Sequence, residues 1–412
     1  MRSSLSELRS RPSSSAYWLL AGLAFSLLLP STAVVERYFG LGGVLAYLIA
    51  ALLLLLLAAL YFYPAIWSFI REKWIPWLAA LTLVLIVAAI ALIYPQAHSG
   101  RFGGGSDGDD ALNIAASAIL HGEHPYRQLT YLDNPISPLP GAVLLSIPFV
   151  VIGAIAYQSA FWLAVFSWTS GHLLRDKRQA LLLLWTILLL SPVVLRSLAV
   201  GSDYVANTIY VLVFSLWVIS AYSEPAPAWQ KLLSAVLLGI GLSSRANFLL
   251  IAPLLFTTLR SKAGWNEAFK ASTVAALSFL VVTLPVYISD PDAFSPLHTI
   301  NEVGKFSDVL PAAGLIIPLL AGLVAIVLAL REDGSINRFL GHAAISQAVP
   351  VLCGIALTSI QAGKITFYFA GFGVFFLFFG ALASWPGLWR LDVGAEPSAQ
   401  TSSPTTRATR AR

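Results

Sequence analysis

The chain has 412 residues, of which 58% are hydrophobic and only 11% charged, against roughly 45–50% and 25% in an average soluble protein. Its mean hydropathy is +0.78, and 25 basic against 20 acidic residues leave a formal charge of +5. No water-soluble fold hides that much apolar surface, so the composition predicts a polytopic membrane protein and excludes a disordered chain, a disulfide scaffold and a nucleic-acid-binding domain.

In chain order, Arg2, Arg9 and Arg11 precede the first apolar run. The succession of apolar segments after them predicts a retained N-terminus rather than a cleaved signal peptide. Runs near 17–35, 41–63, 75–94, 157–174, 180–199, 204–222, 271–288, 313–330, 339–360 and 365–385 each approach the ~17–25 residues of a spanning helix. Basic clusters at Arg71 and Lys73, at Arg175, Lys177 and Arg178, at Arg260, Lys262 and Lys270, and at Arg331 and Arg338 predict cytoplasmic loops. With the N-terminus inside, residues 95–140 fall outside. To return the cluster at 175–178 to the inside, 141–156 is expected to be a re-entrant or half-inserted helix ahead of one crossing at 157–174. The stretch 231–258 runs between two expected cytoplasmic loops, yet Gly241 to Asn247 splits it into two helices too short for an ordinary span. That makes a broken hairpin carrying Arg245.

The expected architecture is therefore an all-α polytopic membrane protein of about twelve transmembrane helices plus re-entrant and surface helices, with both termini cytoplasmic. Residues 1–391 form its single transmembrane domain, with external loops at 95–140 and 289–312. Residues 392–412, ending in Arg407, Arg410 and Arg412, form a disordered cytoplasmic tail. No internal repeat is visible. Cys353, the only cysteine, excludes an intrachain disulfide and a cysteine metal site.

The loop at 95–140 is the polar outlier. After Gly103, Gly104 and Gly105 come Asp107, Asp109 and Asp110, and then a helical pattern over 109–121 with Leu112, Ala115, Ala116, Ile119 and Leu120 on one face. One aspartate ahead of such a helix is an ordinary N-cap of a surface amphipathic helix. Three exceed a capping need, and like charges so close raise the pKa of one unless a cation answers them, which makes a candidate general base. Asp107-Gly108-Asp109 also reads as Asp-x-Asp, a metal and nucleotide-sugar motif, so a divalent cation (Mg or Mn) between Asp107 and Asp109 is the candidate cofactor. The strand pattern of a nucleotide-sugar domain is missing.

Beyond this loop, Arg245 is the candidate for an anionic group, since charge within a membrane segment is costly; snorkelling to the interface is its alternative. Arg127 is a second such candidate. Asp203 is expected to face the same cavity or to cap the helix at 204. His298 and Glu302 would share a helical face in the other external loop, with Lys305 beyond them.

Taken in order, Asp109-Asp110-Ala111-Leu112, Ala115-Ala116, His121-Gly122, His124-Pro125-Tyr126 and Asn134-Pro135-Ile136-Ser137-Pro138-Leu139-Pro140-Gly141 resemble the first external loop of GT-C glycosyltransferases. These integral membrane enzymes transfer sugars from polyprenyl-phosphate carriers. The likeness is closest to the mannosyl-, arabinosyl- and aminoarabinosyl-transferase branches and covers residues 105–260. Family members usually carry one helix before this loop, where three are expected here.

The resemblance implies a GT-C-like bundle and a plasma (inner) membrane location with the active site on the external face. It also implies an acidic-loop aspartate (Asp109 or Asp110, with Asp107 third) as catalytic base, and a turn at Gly122, Pro125 and Tyr126. Arg245 is placed opposite the carrier phosphate. The implied partners are a polyprenyl-phosphate sugar donor and membrane lipids. A multi-pass transporter or lipid flippase, binding a cation or substrate at the acidic loop, is the competing reading. The spans are nearly free of charge and polar groups collect at one face, which favours an interfacial enzyme.

Overall fold

The computed structural model describes residues 14–63, 66, 69–98, 105–298 and 304–385. The terminal arginines, the tail at 392–412, Gly103, Gly104 and Glu302 lie outside the described residues. Those described form fourteen α-helices and no strand beyond an isolated bridge between Leu129 and Pro135.

Five helices are long and apolar enough to cross a membrane, or up to seven if each of two bent pairs is one span. The expectation of about twelve crossings is not reproduced, and the reasons are local. The first two expected spans follow each other in α1 (Ser14–Leu57), which Gly40, with a φ of 65° outside the helical region, divides into two helices where the sequence suggested a boundary. Unbroken, its 44 residues would run about 66 Å, twice the ~30 Å hydrocarbon thickness. After α2 (Ile75–His98) and α3 (Gly108–Leu120), helix α4 (Pro140–Val151) turns at Gly153 and meets α5 (Gln158–Leu173) with a bend of 118°. The chain therefore bends sharply between the segment expected to re-enter and the crossing expected at 157–174.

The expected span at 180–199 is two helices, α6 (Lys177–Leu190) and α7 (Pro192–Ala199), bent by 83°. Pro192 forces this. A residue before proline is pushed out of the helical region, and Ser191 has φ −121° and ψ 79°.

Helix α8 (Tyr204–Ser223) is central: 78% of its apolar stretch is buried, against 11% for α2. The broken hairpin is α9 (Ala228–Leu242), a break at Ser243 to Arg245, a 3₁₀ turn over Ala246–Ile251 and α10 (Ala252–Ala263). Its α-helices have 15 and 12 residues, about 22 and 18 Å, too short to cross alone. Helices α11 (Trp265–Ser289), α12 (Ala313–Ala329), α13 (Ile336–Ala362) and α14 (Val374–Ser384) complete the bundle, with Gly264 (φ 85°) turning the chain between α10 and α11. Helices α1, α8 and α13 pack around α14, whose phenylalanines Phe376, Phe378 and Phe379 are fully buried.

The break in the hairpin is held by another helix. The N–H of Leu139 donates to the Ser244 carbonyl (3.0 Å) and that of Gly141 to the Ser243 carbonyl (2.7 Å). Donors left open at the start of α4 thus satisfy acceptors left open at the end of α9. The approach is so close that a Cβ on Gly141 would lie 2.0 Å from the Ile240 carbonyl oxygen. This junction ties the acidic-loop region to Arg245.

Candidate functional site

Helix α3 is amphipathic as expected. Leu112, Ala115 and Ala116 are buried against Tyr126, Ile136, Leu139 and Phe294, although Leu120, expected on the same face, is exposed. Its start is docked onto the turn before α8 by two glycines. A Cβ on Gly201 (φ 71°) would meet the Asp109 carboxyl carbon at 2.8 Å, and one on Gly108 would meet Asp203 Oδ1 at 2.9 Å. Only glycine permits either approach.

The three loop aspartates occupy three environments. Asp107 sits at the N-cap position but caps nothing: its Oδ2 accepts from Thr130 Oγ1 and Asn134 Nδ2, both at 2.8 Å. Asp109 is 2% exposed and accepts from the Tyr94 hydroxyl of α2. Asp110 accepts from the backbone N–H of Tyr131 at 2.8 Å. Burial, and then the charges of the three aspartates, push the Tyr131 phenol above its ordinary pKa, so it stays neutral.

A cavity of about 520 Å³ opens beside this loop. Asp107, Asp203, Arg245 and Lys305 line it, together with Ser137, Asn247 and Gln347, while Phe306, Ile317, Val351, Phe369, Phe372 and Phe375 form an apolar wall. Asp109 and Asp110 are not among its lining residues. The sequence ranks Asp109 first; the fold brings Asp107 to the cavity instead. Asp107 and Asp109 stand two positions apart, which on a helix separates their faces. They engage different partners, Asp107 through Thr130 and Asn134 and Asp109 through Tyr94. Among the described residues no three or more His, Cys, Asp or Glu side chains gather as metal ligands.

Arg245 has an extended backbone (φ −150°, ψ 140°) where the hairpin breaks. The guanidinium is not the unpaired charge expected from sequence. Its Nη2 donates to Asp203 Oδ2 at 2.5 Å, its Nη1 to Ser137 Oγ at 3.0 Å, and it lies 5.0 Å over the Tyr204 ring. Asp203 is fixed in turn by Asn207 Nδ2 (2.7 Å), and Asn207 Oδ1 accepts from Tyr210 (2.7 Å). Asp203 does not cap α8, since its side chain makes no such bond. Two of five guanidinium N–H groups carry these bonds, so the Arg245 fork retains donors for an anion in the cavity. On the opposite wall, Asn247 and Gln347 exchange two hydrogen bonds of 2.7 and 2.8 Å.

Other expected residues lie elsewhere. Arg127 pairs with Asp290 (Nε 3.1 Å, Nη2 2.9 Å) at the surface and lowers that carboxyl below its ordinary pKa. Tyr126 is buried, donates to the Pro138 carbonyl (2.9 Å) and packs edge-on against Phe294; burial raises its phenol well above the ordinary value. It braces the loop and does not reach the cavity. His124 lies by the Val286 carbonyl (3.2 Å). His298 ends a 3₁₀ turn begun at Ser295, and Lys305 reaches the cavity wall.

Thr130, Asn247 and Gln347 carry no role in the sequence analysis, and Asn134 and Ser137 enter it only as part of the proline-rich motif. Gln347 carried a usable signal, as a lone amide in an apolar run. No family model matches the chain, and no curated protein or solved structure matches it either.

Proposed function

We propose that the protein is an integral membrane glycosyltransferase of GT-C type that takes its sugar from a polyprenyl-phosphate carrier. The observation that carries this reading is that one cavity is lined both by Asp107 and the Arg245–Asp203 pair and by a set of aromatic and aliphatic side chains. A lipid-linked sugar phosphate likewise joins a charged group to an apolar chain. In the transfer, the acceptor hydroxyl oxygen attacks the anomeric carbon, the bond from that carbon to the phosphate oxygen breaks, and the phosphate departs with the bonding electrons. Asp107 takes the hydroxyl proton, with Thr130 and Asn134 holding its other oxygen in place. Arg245 stabilises the charge growing on the phosphate, and Asp203 keeps the guanidinium oriented. Asp109 and Asp110 position the loop through Tyr94 and the Tyr131 backbone. The cavity end that receives the acceptor lies on the external face of the plasma membrane.

Incubating purified protein with radiolabelled polyprenyl-phosphate sugars and scanning acceptors for label tests the reading. Asp107→Asn should slow transfer by about 10²–10⁴-fold, the usual loss of a general base, with the melting temperature little changed. Unaltered turnover in Asp107→Asn, alongside loss in Asp109→Asn, would return the base to Asp109. If no labelled donor transfers but a flux of substrate across vesicles is measured, the protein is a transporter.

A further inference from the structure

A second cleft, of about 320 Å³, lies between α1, the end of α2 and α7, lined by Val34, Tyr38, Ile93, Gln96, Arg196 and Ala199 among others. Arg196 is the one charged side chain among its lining residues. It makes no side-chain hydrogen bond or ion pair among the described residues, and its Nε is shut off from solvent. No carboxylate is at hand to answer it. Glu36 of α1 accepts instead from the Phe367 N–H (2.5 Å) and Thr366 Oγ1 (3.2 Å). Asp107 is held by Thr130 and Asn134.

A guanidinium partly withdrawn from water, with its Nε enclosed and no counter-charge among the described residues, is unfavourable, so such a site attracts an anion. The source of the anion is indicated by the surface around the cleft. Phe39 and Leu92 are 74% and 71% exposed on the same two helices, and Ile93, in the cleft wall itself, is half exposed. That surface suits acyl chains, and a tyrosine such as Tyr38 is typical of the level where lipid headgroups sit.

We propose that this cleft binds the phosphate of an anionic phospholipid, with Arg196 as its ligand and the acyl chains lying against Phe39, Leu92 and Ile93. The inference rests on the chain residing in a membrane and is independent of glycosyl transfer.

Native mass spectrometry of the full chain in neutral detergent, with phosphatidylglycerol or phosphatidylcholine at equal concentration, tests it. Phosphatidylglycerol should be retained about tenfold better, because the choline ammonium of phosphatidylcholine offsets the phosphate charge that Arg196 meets. Arg196→Gln should bring the two lipids to parity, and Arg196→Lys should keep part of the preference. A photoactivatable phosphatidylglycerol should cross-link the wild-type protein in peptides containing Tyr38 or Gln96, a readout that needs no variant to fold. Equal retention of both lipids by the wild type, displacement of phosphatidylglycerol by inorganic phosphate at the same concentration, or cross-links confined to other helices would overturn the proposal.

Discussion

The two ends of the bundle use the same charged residue types in opposite ways. At the end where the basic loops gather, Arg178–Glu72, Lys270–Glu267 and Arg338–Asp333 are open pairs, with side-chain exposures of 21% and 83%, 57% and 23%, and 47% and 51%. At the acidic-loop end, Arg245 and Asp203 are 11% and 1% exposed and belong to a chain of contacts reaching Tyr210 and Ser137. Exposed pairs contribute about 0–1 kcal/mol, and their charges serve mainly to orient a chain in the bilayer. An enclosed pair is held against a desolvation penalty that its mutual attraction need not repay. Its retention therefore points to work at the site, whereas the outer pairs need no such explanation. Glu332 and His342 are the buried exception among the described residues at the basic end (2.7 Å).

Removing one partner from each kind of pair sharpens the contrast. Arg245→Ala leaves Asp203 charged and enclosed, and the protein should lose about 3–5 kcal/mol of stability, read as a fall in melting temperature in detergent. Arg245→Lys should recover stability better than donor binding, since a lysine lacks the bidentate fork. Wild-type melting by Arg245→Ala would end the distinction between the two ends. A smaller loss is expected from Tyr94→Phe, which removes a donor from the buried Asp109 carboxylate. The magnitude is about 1–3 kcal/mol, with transfer slowed through loop misplacement and the pH profile unchanged. A shifted pH profile in that variant would mean that Asp109, not Asp107, takes the proton.

At the other end, Arg338→Ala should change stability by less than about 1 kcal/mol. The Arg127–Asp290 pair is the open exception at the acidic-loop end and should matter as little. Because Arg127 depresses the Asp290 pKa in the folded state, the pair's stabilisation is present at neutral pH and is lost as pH falls through the acidic range. Asp290→Asn should flatten that acid limb slightly, and a strong change near neutral pH would contradict the assignment.

What the sequence made legible follows from range along the chain. Helix α3, the break at Ser243 to Arg245 and the bend after α4 each rest on neighbouring residues: an apolar period, a polar interruption, a glycine. The partner of Arg245 lies 42 residues away and that of Arg127 lies 163 away, distances over which periodicity carries no information. The same limit explains the aspartates. Which of the three faces the cavity is decided by Gly201 pressing on Asp109 and by Thr130 and Asn134 reaching Asp107, contacts made only once the loop is docked. Apolar length alone does not register the Ser191–Pro192 bend, whereas the shortness of α9 and α10 follows from the polar interruption between them.

The junction between α4 and α9 also sets an order of events during synthesis. The Gly141 N–H meets its acceptors on Ser243, 102 residues later in the chain. At about 5–20 residues per second the ribosome needs roughly 5–20 s to supply them. Through that interval the start of α4 has no partner for these donors, and an unsatisfied N–H in hydrocarbon costs several kcal/mol. The start of α4 is therefore expected to stay at the water interface until α9 arrives, and the junction beside Arg245 forms only once the hairpin is made. A cysteine at Ala142 should accordingly be reachable by an aqueous reagent in chains arrested before residue 240, and become protected once the hairpin has emerged.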